Sequence, residues 1–474
     1  MGFDFNQARM LEWARELYSF GFKRPGTAAG RRAEDYLLGL LTGFGFPVVR
    51  AEEVPFAGWF HERAGLTVSG PGGSLSFPAE PIVYTAFTGD QGLSAPIVDV
   101  GHGTADDFNG KNLTGKIALA TYSHGWLDYD DLGALAAYLH DPENTLAGRG
   151  QVMSWLTEEE SRVYNEAVSA GAAGLIAVYP FDLTPYLCYE GGDAFTGLVG
   201  AIPGIGLRKS DGDRLKGILA HGETVGTLIL TGQTRSAVTR NIVGIIPGHS
   251  ERVIQITSHH DTMWLGATED ASGVAVVLAL AQAYAERYRA EKPPYTLAFV
   301  LEGAECLFVL GSRGYIERHQ DDLIKNLIVD LHVEHLAMEY DAEPDGRIVP
   351  TGHTQPRALF VTDTGPLMEI ARSAVEKYDL RRSIVLPSNT VIGVPTDATA
   401  YNRAGLPVIS FISPPLYWNT LEDTWEKIAV GELVPTANAY AYMVERIMDS
   451  EADAIRRAGP PGDGYLRYRE RTAP

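Results

Sequence analysis

The stretch that most constrains how this chain can fold runs from Val253 to Arg287. A β-branched run, Val253 to Thr257, leads into Ser258-His259-His260-Asp261-Thr262. Gly266-Ala267-Thr268-Glu269-Asp270-Ala271-Ser272-Gly273 follows, and then an Ala/Leu/Val-rich helical pattern from Val274 to Arg287. Strand, polar turn and helix in that order present side chains in the crevice at the strand's C-terminal end. Imidazole and carboxylate converging there suit a divalent ion such as zinc, with the second carboxylate orienting the histidine.

The 474 residues are too many for one ordinary domain, so two or three are expected. The 60 acidic against 39 basic residues give a formal charge of −21, which argues against nonspecific nucleic-acid or anionic-membrane binding. Cys188 and Cys306 are the only cysteines, too few for a disulfide framework. Met1-Gly2-Phe3-Asp4-Phe5-Asn6 has neither a basic nor an apolar leader region, and no apolar run reaches membrane-spanning length. The expected location is cytoplasmic.

Helical periodicity covers residues 5–20 and 29–43, and Phe46-Pro47-Val48-Val49 reads as a first strand. From 52 to 238 the texture changes to short β-like runs with frequent glycine, such as Lys116-Ile117-Ala118-Leu119-Ala120 and Gly174-Leu175-Ile176-Ala177-Val178. Strands separated by helices resume at Thr239 and continue to about 450, and a Pro/Gly/Arg-rich tail follows Arg456. The predicted architecture is an α/β domain (1–51 and 239–474) interrupted by an inserted β-rich domain (52–238).

Arg24-Pro25-Gly26-Thr27, Asn241-Ile242-Val243, His259-x-Asp261, Gly266-Ala267 with Ala271-Ser272-Gly273, Gly311-Ser312-Arg313 and Asp423-Thr424 occur in a familiar order. They resemble the zinc-dependent exopeptidase family of bacterial leucyl aminopeptidases, aminopeptidase Y and glutamate carboxypeptidase, which also includes the noncatalytic transferrin receptor. The insertion resembles a protease-associated domain through Val98-Asp99-Val100-Gly101, Gly115-Lys116-Ile117-Ala118-Leu119, Ala167 to Ile176 and Ile202-Pro203-Gly204-Ile205-Gly206. The resemblance implies a mixed-sheet catalytic domain, two metals sharing a carboxylate, and a glutamate as general base.

Carried over position by position, the resemblance makes His259 the first ligand and Asp261 its orienting carboxylate. The bridging carboxylate falls on Glu269, with Asp270 next to it, and the third-strand ligand on Glu334. Glu305 takes the general base. Two positions depart from the family: Cys306 stands where a second glutamate is expected, and Asn419, in Trp418-Asn419-Thr420, where the last histidine is expected. A thiolate binds zinc well, but a neutral amide is a poor substitute for imidazole. The expected metal set is therefore His259, Glu269 or Asp270, and Glu334 around one divalent ion, with zinc foremost.

The third strand adds candidates of its own. In Leu327-Ile328-Val329-Asp330-Leu331-His332-Val333-Glu334, period-two alternation puts Asp330, His332 and Glu334 on one face. His332 could then join Glu334, His335 could join if the strand ends or bulges there, and His353 follows in a Pro-Thr-Gly-His-Thr loop. Blander readings stand beside these. His260 reads as a polar strand end, Cys306 as a small buried hydrophobe, Glu302 and Glu305 as solvated strand-end carboxylates, and Asp397 as a loop cap or, equally, a catalytic group. The acidic and aromatic run from Ser123 to Asp131, with a helix-like segment holding His140 and Asp141, reads as a lid, a dimer contact or a solvated insertion.

The expected function is a metal-dependent hydrolase of an amide or related acyl bond, with Glu305 as base. Its substrate would be a small molecule or short peptide, without nucleic acid or membrane, and homo-oligomerisation stays open. Two other readings remain: a noncatalytic binding or assembly protein, and a metal-dependent lyase or C–C bond hydrolase.

Overall fold

The computed structural model describes residues 3–456, apart from 71–72, 154–156, 186–191, 193, 195 and 390–392. Cys188, Trp155 and the tail after Arg456 lie outside the described residues. The sheet is mixed, as the sequence predicts. At its centre Ser250–His259 runs parallel to Tyr295–Glu302 on one side and Leu327–Val333 on the other. Val408–Ile412 continues the parallel order next to Leu327–Val333. Val225–Ile246 and Arg357–Val361 flank this group as antiparallel strands, and Ser383–Pro387 lies beyond.

Burial on both faces explains why these strands read as near-continuous apolar runs. Every residue of Leu327–Val333 is buried, as is Tyr295–Glu302 after its first residue. One face is covered by Gly273–Arg287, Gln7–Ser19, Ala28–Phe44 and Leu433–Met448, whose apolar side chains form one continuous core with the strands. Asn6 and Thr27 cap Gln7–Ser19 and Ala28–Phe44 by accepting from the backbone N–H of Arg9 and Gly30. The register then places the chemistry. His259 lies opposite Glu302 where their strands end, and Thr257 lies opposite His332 on the other side.

Within 52–238, Val48–Gly70 and Val225–Ile246 form a long antiparallel ribbon, paired from Val48 with Ile245 to Ser69 with Val225. Parallel strands Leu93–Asp99, Ile117–Thr121, Gly174–Val178 and Gly204–Leu207 adjoin it. Val100, Leu113, Tyr164 and Ala167 belong to a core of their own there. The 123–153 stretch departs from expectation. His140 lies in a strand, Tyr138–His140, that pairs antiparallel with Ser383 to Val385 at the far edge of the main sheet. The helix is Tyr129–Leu135, started by the side chain of Asp128. Tyr129, Leu132 and Leu146 enter the core beneath that edge, so burial of apolar side chains docks the stretch there.

Candidate metal centre

Three parallel strands ending side by side bring together what the sequence separates. His259 is the last residue of its strand, and its Nδ1 donates to the backbone carbonyl of Asp261 at 3.1 Å. That bond leaves Nε2 facing Glu269 Oε1 at 3.5 Å and Asp397 Oδ2 at 3.7 Å. The expected orienting carboxylate acts differently. Asp261 Oδ1 lies 3.9 Å from His259, and its two oxygens accept from the backbone N–H groups of Glu305 at 2.9 Å and Cys306 at 3.3 Å. Asp261 thus holds the turn that carries the expected base. That turn is bounded by Ala304 (φ 61°), Phe308 (φ 62°) and Val309 (φ 51°), left-handed positions that cost a side-chain-bearing residue about 1–3 kcal/mol each.

Leu327–Val333 does what its alternation predicts, and then ends. His332 Nδ1 donates to Thr257 Oγ1 at 2.8 Å, while Thr257 donates onward to Asp330 at 2.7 Å. The proton therefore sits on Nδ1, and Nε2 faces Glu334 Oε1 and Asp397 Oδ2, each at 3.7 Å. Because the strand stops at Val333, His335 turns inward with φ 44°. Its Nδ1 donates to Ser413 O at 2.8 Å, and its Nε2 pairs with Glu269.

The six side chains fall into two donor groups, His259–Glu269–His335 and His332–Glu334–Asp397. The expected grouping of His259 and Glu269 with Glu334 is thus changed: His335 stands with the first pair, and Glu334 with the second. Asp270 needs a plainer correction. Its oxygens accept from Ser258, from the Gly273 N–H at 3.1 Å and from the His335 N–H at 3.0 Å, which fixes the turn that aims His335 rather than offering a ligand. His260 Nε2 donates to Arg240 O at 3.0 Å and joins neither group, and His353 is exposed on a two-stranded hairpin.

A third group, Glu269–Glu305–Cys306, lies on the other flank of Glu269. There Asn419 Nδ2 stands 3.4 Å from Glu269 Oε1 and 4.0 Å from Cys306 Sγ, so the two positions expected to depart from the resembled pattern are neighbours. Three contributors escaped the sequence reading. Trp418 donates its indole N–H to Glu269. Asp423 accepts from the backbone N–H groups of Thr268 and Glu269, each at 3.0 Å, and so clamps the Glu269 turn. Lys23, buried, donates to Leu265 O at 2.8 Å on the approach to the same turn. The Asp423-Thr424 motif hinted at one of these, and Trp418 reads from the sequence only as pocket wall or core beside Asn419.

The electrostatics ask for a cation. Burial works against charge on His259 and His332, yet Asp397 and Glu269 around the first, and Asp330 and Asp397 around the second, raise both well above the usual histidine value. His335 rises to about 10 against its burial, chiefly through Glu269. Burial and then Asp397 lift Glu305 well above the ordinary carboxylate range, and lift Glu334 to about 8. Asp397 itself is held low against burial by His259 and His332. His259 Nε2, His332 Nε2 and Asp397 Oδ2 are buried without a hydrogen-bond partner among the described residues. Each such atom costs about 1–3 kcal/mol, and together they approach a typical domain's whole stability of about 5–15 kcal/mol. Inward-facing imidazole lone pairs beside carboxylates form the donor set of a divalent metal, so the residues fit the group.

Residues 241–444 match the profile described as Peptidase family M28, and every residue of the first two groups lies within them. This part of the chain is similar to peptidase family M28. Among curated relatives, the chain is 25% identical over 392 residues to aminopeptidase YwaD of Bacillus subtilis, covering 77% of this chain and 72% of that one. It is 24% identical over 381 residues to a glutamate carboxypeptidase 2 homolog of Caenorhabditis elegans, covering 69% of this chain but 49%, about half, of the relative. Among solved structures it is similar to a zinc aminopeptidase of Bacillus subtilis, with a TM-score of 0.67 at 21% identity over 95% of this chain and 97% of that one. An M28 peptidase precursor of Shewanella amazonensis gives 0.69 at 23% identity, covering 94% and 93%. These structures share the fold. Among the described residues, no helix is long and apolar enough to cross a membrane.

Proposed function

We propose that this chain is a metal-dependent hydrolase of an amide or closely related acyl bond, working with one divalent ion, zinc foremost. The observation that carries this is the trio of buried histidines. In each, Nδ1 is tied to a fixed partner and Nε2 is turned onto a carboxylate. The match of residues 241–444 to family M28 and the likeness to proteins named as aminopeptidases support hydrolysis as the reaction.

His259, Glu269 and His335 would hold the ion, and His332, Glu334 and Asp397 would surround its far side. Bound there, a divalent ion supplies Lewis-acid polarisation of a scissile carbonyl and a more acidic water at neutral pH. The chain's own residues do the rest. Trp418 and Asn419 donate to Glu269 and fix its carboxylate. Glu305, on the turn held by Asp261, faces the cavity and takes the proton that the nucleophile loses. It later returns a proton to the leaving nitrogen.

The single ion follows from Cys306 and Asn419, which leave the opposite flank of Glu269 with a thiol and a neutral amide. The 52–238 segment serves in this reading as an inserted protease-associated domain, and its separate hydrophobic core supports that. Two cysteines in 474 residues fit a reducing, cytoplasmic compartment. Chelation followed by readdition of zinc tests the whole. Activity on a panel of aminoacyl anilides, dipeptides and N-blocked amides should vanish and return with about one equivalent. Full activity in metal-free protein would refute the proposal.

A further inference from the structure

Beside the donor groups opens a cavity of about 290 Å³, and its lining is not uniformly acidic. Glu305, Glu334 and Asp397 contribute carboxylates, but Arg313 and Arg403 line the same space. In a chain with 60 acidic and 39 basic residues, an arginine near a carboxylate is commonplace and one without is informative. Arg403 is exposed and makes no ion pair among the described residues. The two arginines are also held in place together. Arg403 ends the helix Thr399–Arg403, and Arg313 belongs to Leu310–His319. Tyr401 of the first helix and Ser312 of the second both donate to buried Glu302, the latter at 2.6 Å. A carboxylate that the reaction itself does not use therefore ties the two arginine-bearing helices to one point.

We propose that Arg403, with Arg313 beside it, receives an anionic group of the substrate, a carboxylate on a small, partly apolar body. Ile412, Pro414 and Trp418 supply apolar wall for that body. Guanidinium recognises carboxylate through two parallel N–H donors, which gives orientation as well as affinity. The inference rests on the hydrolase reading and names the substrate class of that site. Glu302 is then a positioning residue, acting through Tyr401 and Ser312. The bland account is that Arg403 only balances the C-terminal end of its short helix.

The two accounts part in a binding experiment that needs no turnover. Zinc-loaded protein is titrated calorimetrically with 3-phenylpropionate and with its uncharged analogue 3-phenylpropanol. The acid should bind about tenfold more tightly than the alcohol. Arg403→Gln should shrink that gap to less than about threefold, and Arg403→Lys should restore part of it. Absence of acid binding, equal binding of the pair, or a gap that survives Arg403→Gln would each overturn the proposal, the last because the ion alone would then hold the carboxylate. A protein that keeps the Arg403-dependent gap but hydrolyses no amide would refute the hydrolase reading and leave this one standing.

Discussion

Glu269 divides its surroundings into two unequal flanks. On one, Cys306 and Asn419 approach each other at 4.0 Å, a thiol and a neutral amide, with Glu305 near. On the other stand His259 and His335, and behind them His332, Glu334 and Asp397, with His259 Nε2, His332 Nε2 and Asp397 Oδ2 lacking hydrogen-bond partners among the described residues. The first flank leaves Asn419 Oδ1 buried without a hydrogen-bond partner among the described residues, but it offers no imidazole. The second gathers buried imidazole nitrogens and carboxylates, whose cost a bound cation would offset. The histidine and carboxylate donors therefore gather to one side of Glu269.

Removing a donor from the rich flank is the largest way to break this comparison. His259→Ala should release the ion and abolish hydrolysis, because the lost imidazole sits between Glu269 and Asp397 and water replaces it poorly. Metal content by elemental analysis checks this, and retention of a full equivalent would remove His259 from the site. Glu305→Gln comes next. It should keep the metal and the fold but lower kcat by a factor on the order of 10² to 10⁴. Parallel loss of metal would make Glu305 a ligand, and unchanged turnover would remove it from the base role. The poor flank should hardly respond. Cys306→Ala should leave metal content unchanged and kcat/KM within about threefold. A large loss of metal there would erase the contrast between the flanks.

Periodicity decided how much of this was legible beforehand. The strand–turn–helix around His259 and Glu269 is visible because apolar runs and polar turns report local geometry directly. The alternation of Asp330, His332 and Glu334 on one face is legible for the same reason, and His332 indeed lies 3.5 Å from Asp330 and 3.7 Å from Glu334. What escapes lies in turns and across long sequence separations. His335 enters only because its strand stops and its φ becomes positive. Asp270 looks like a ligand in sequence, yet backbone N–H groups claim its oxygens, and no residue pattern announces that. Trp418 is 149 residues from Glu269, and its donation becomes visible only when the sheet is assembled. The edge strand Tyr138–His140 follows the same rule, since its partner is Ser383–Val385.

If the ion sits on the histidine flank, X-ray absorption at the zinc edge of loaded protein should show a shell of nitrogen and oxygen only, at about 2.0–2.1 Å, with the imidazole signature of histidine and no sulfur. A sulfur shell at about 2.3 Å would put the ion against Cys306 and contradict that placement.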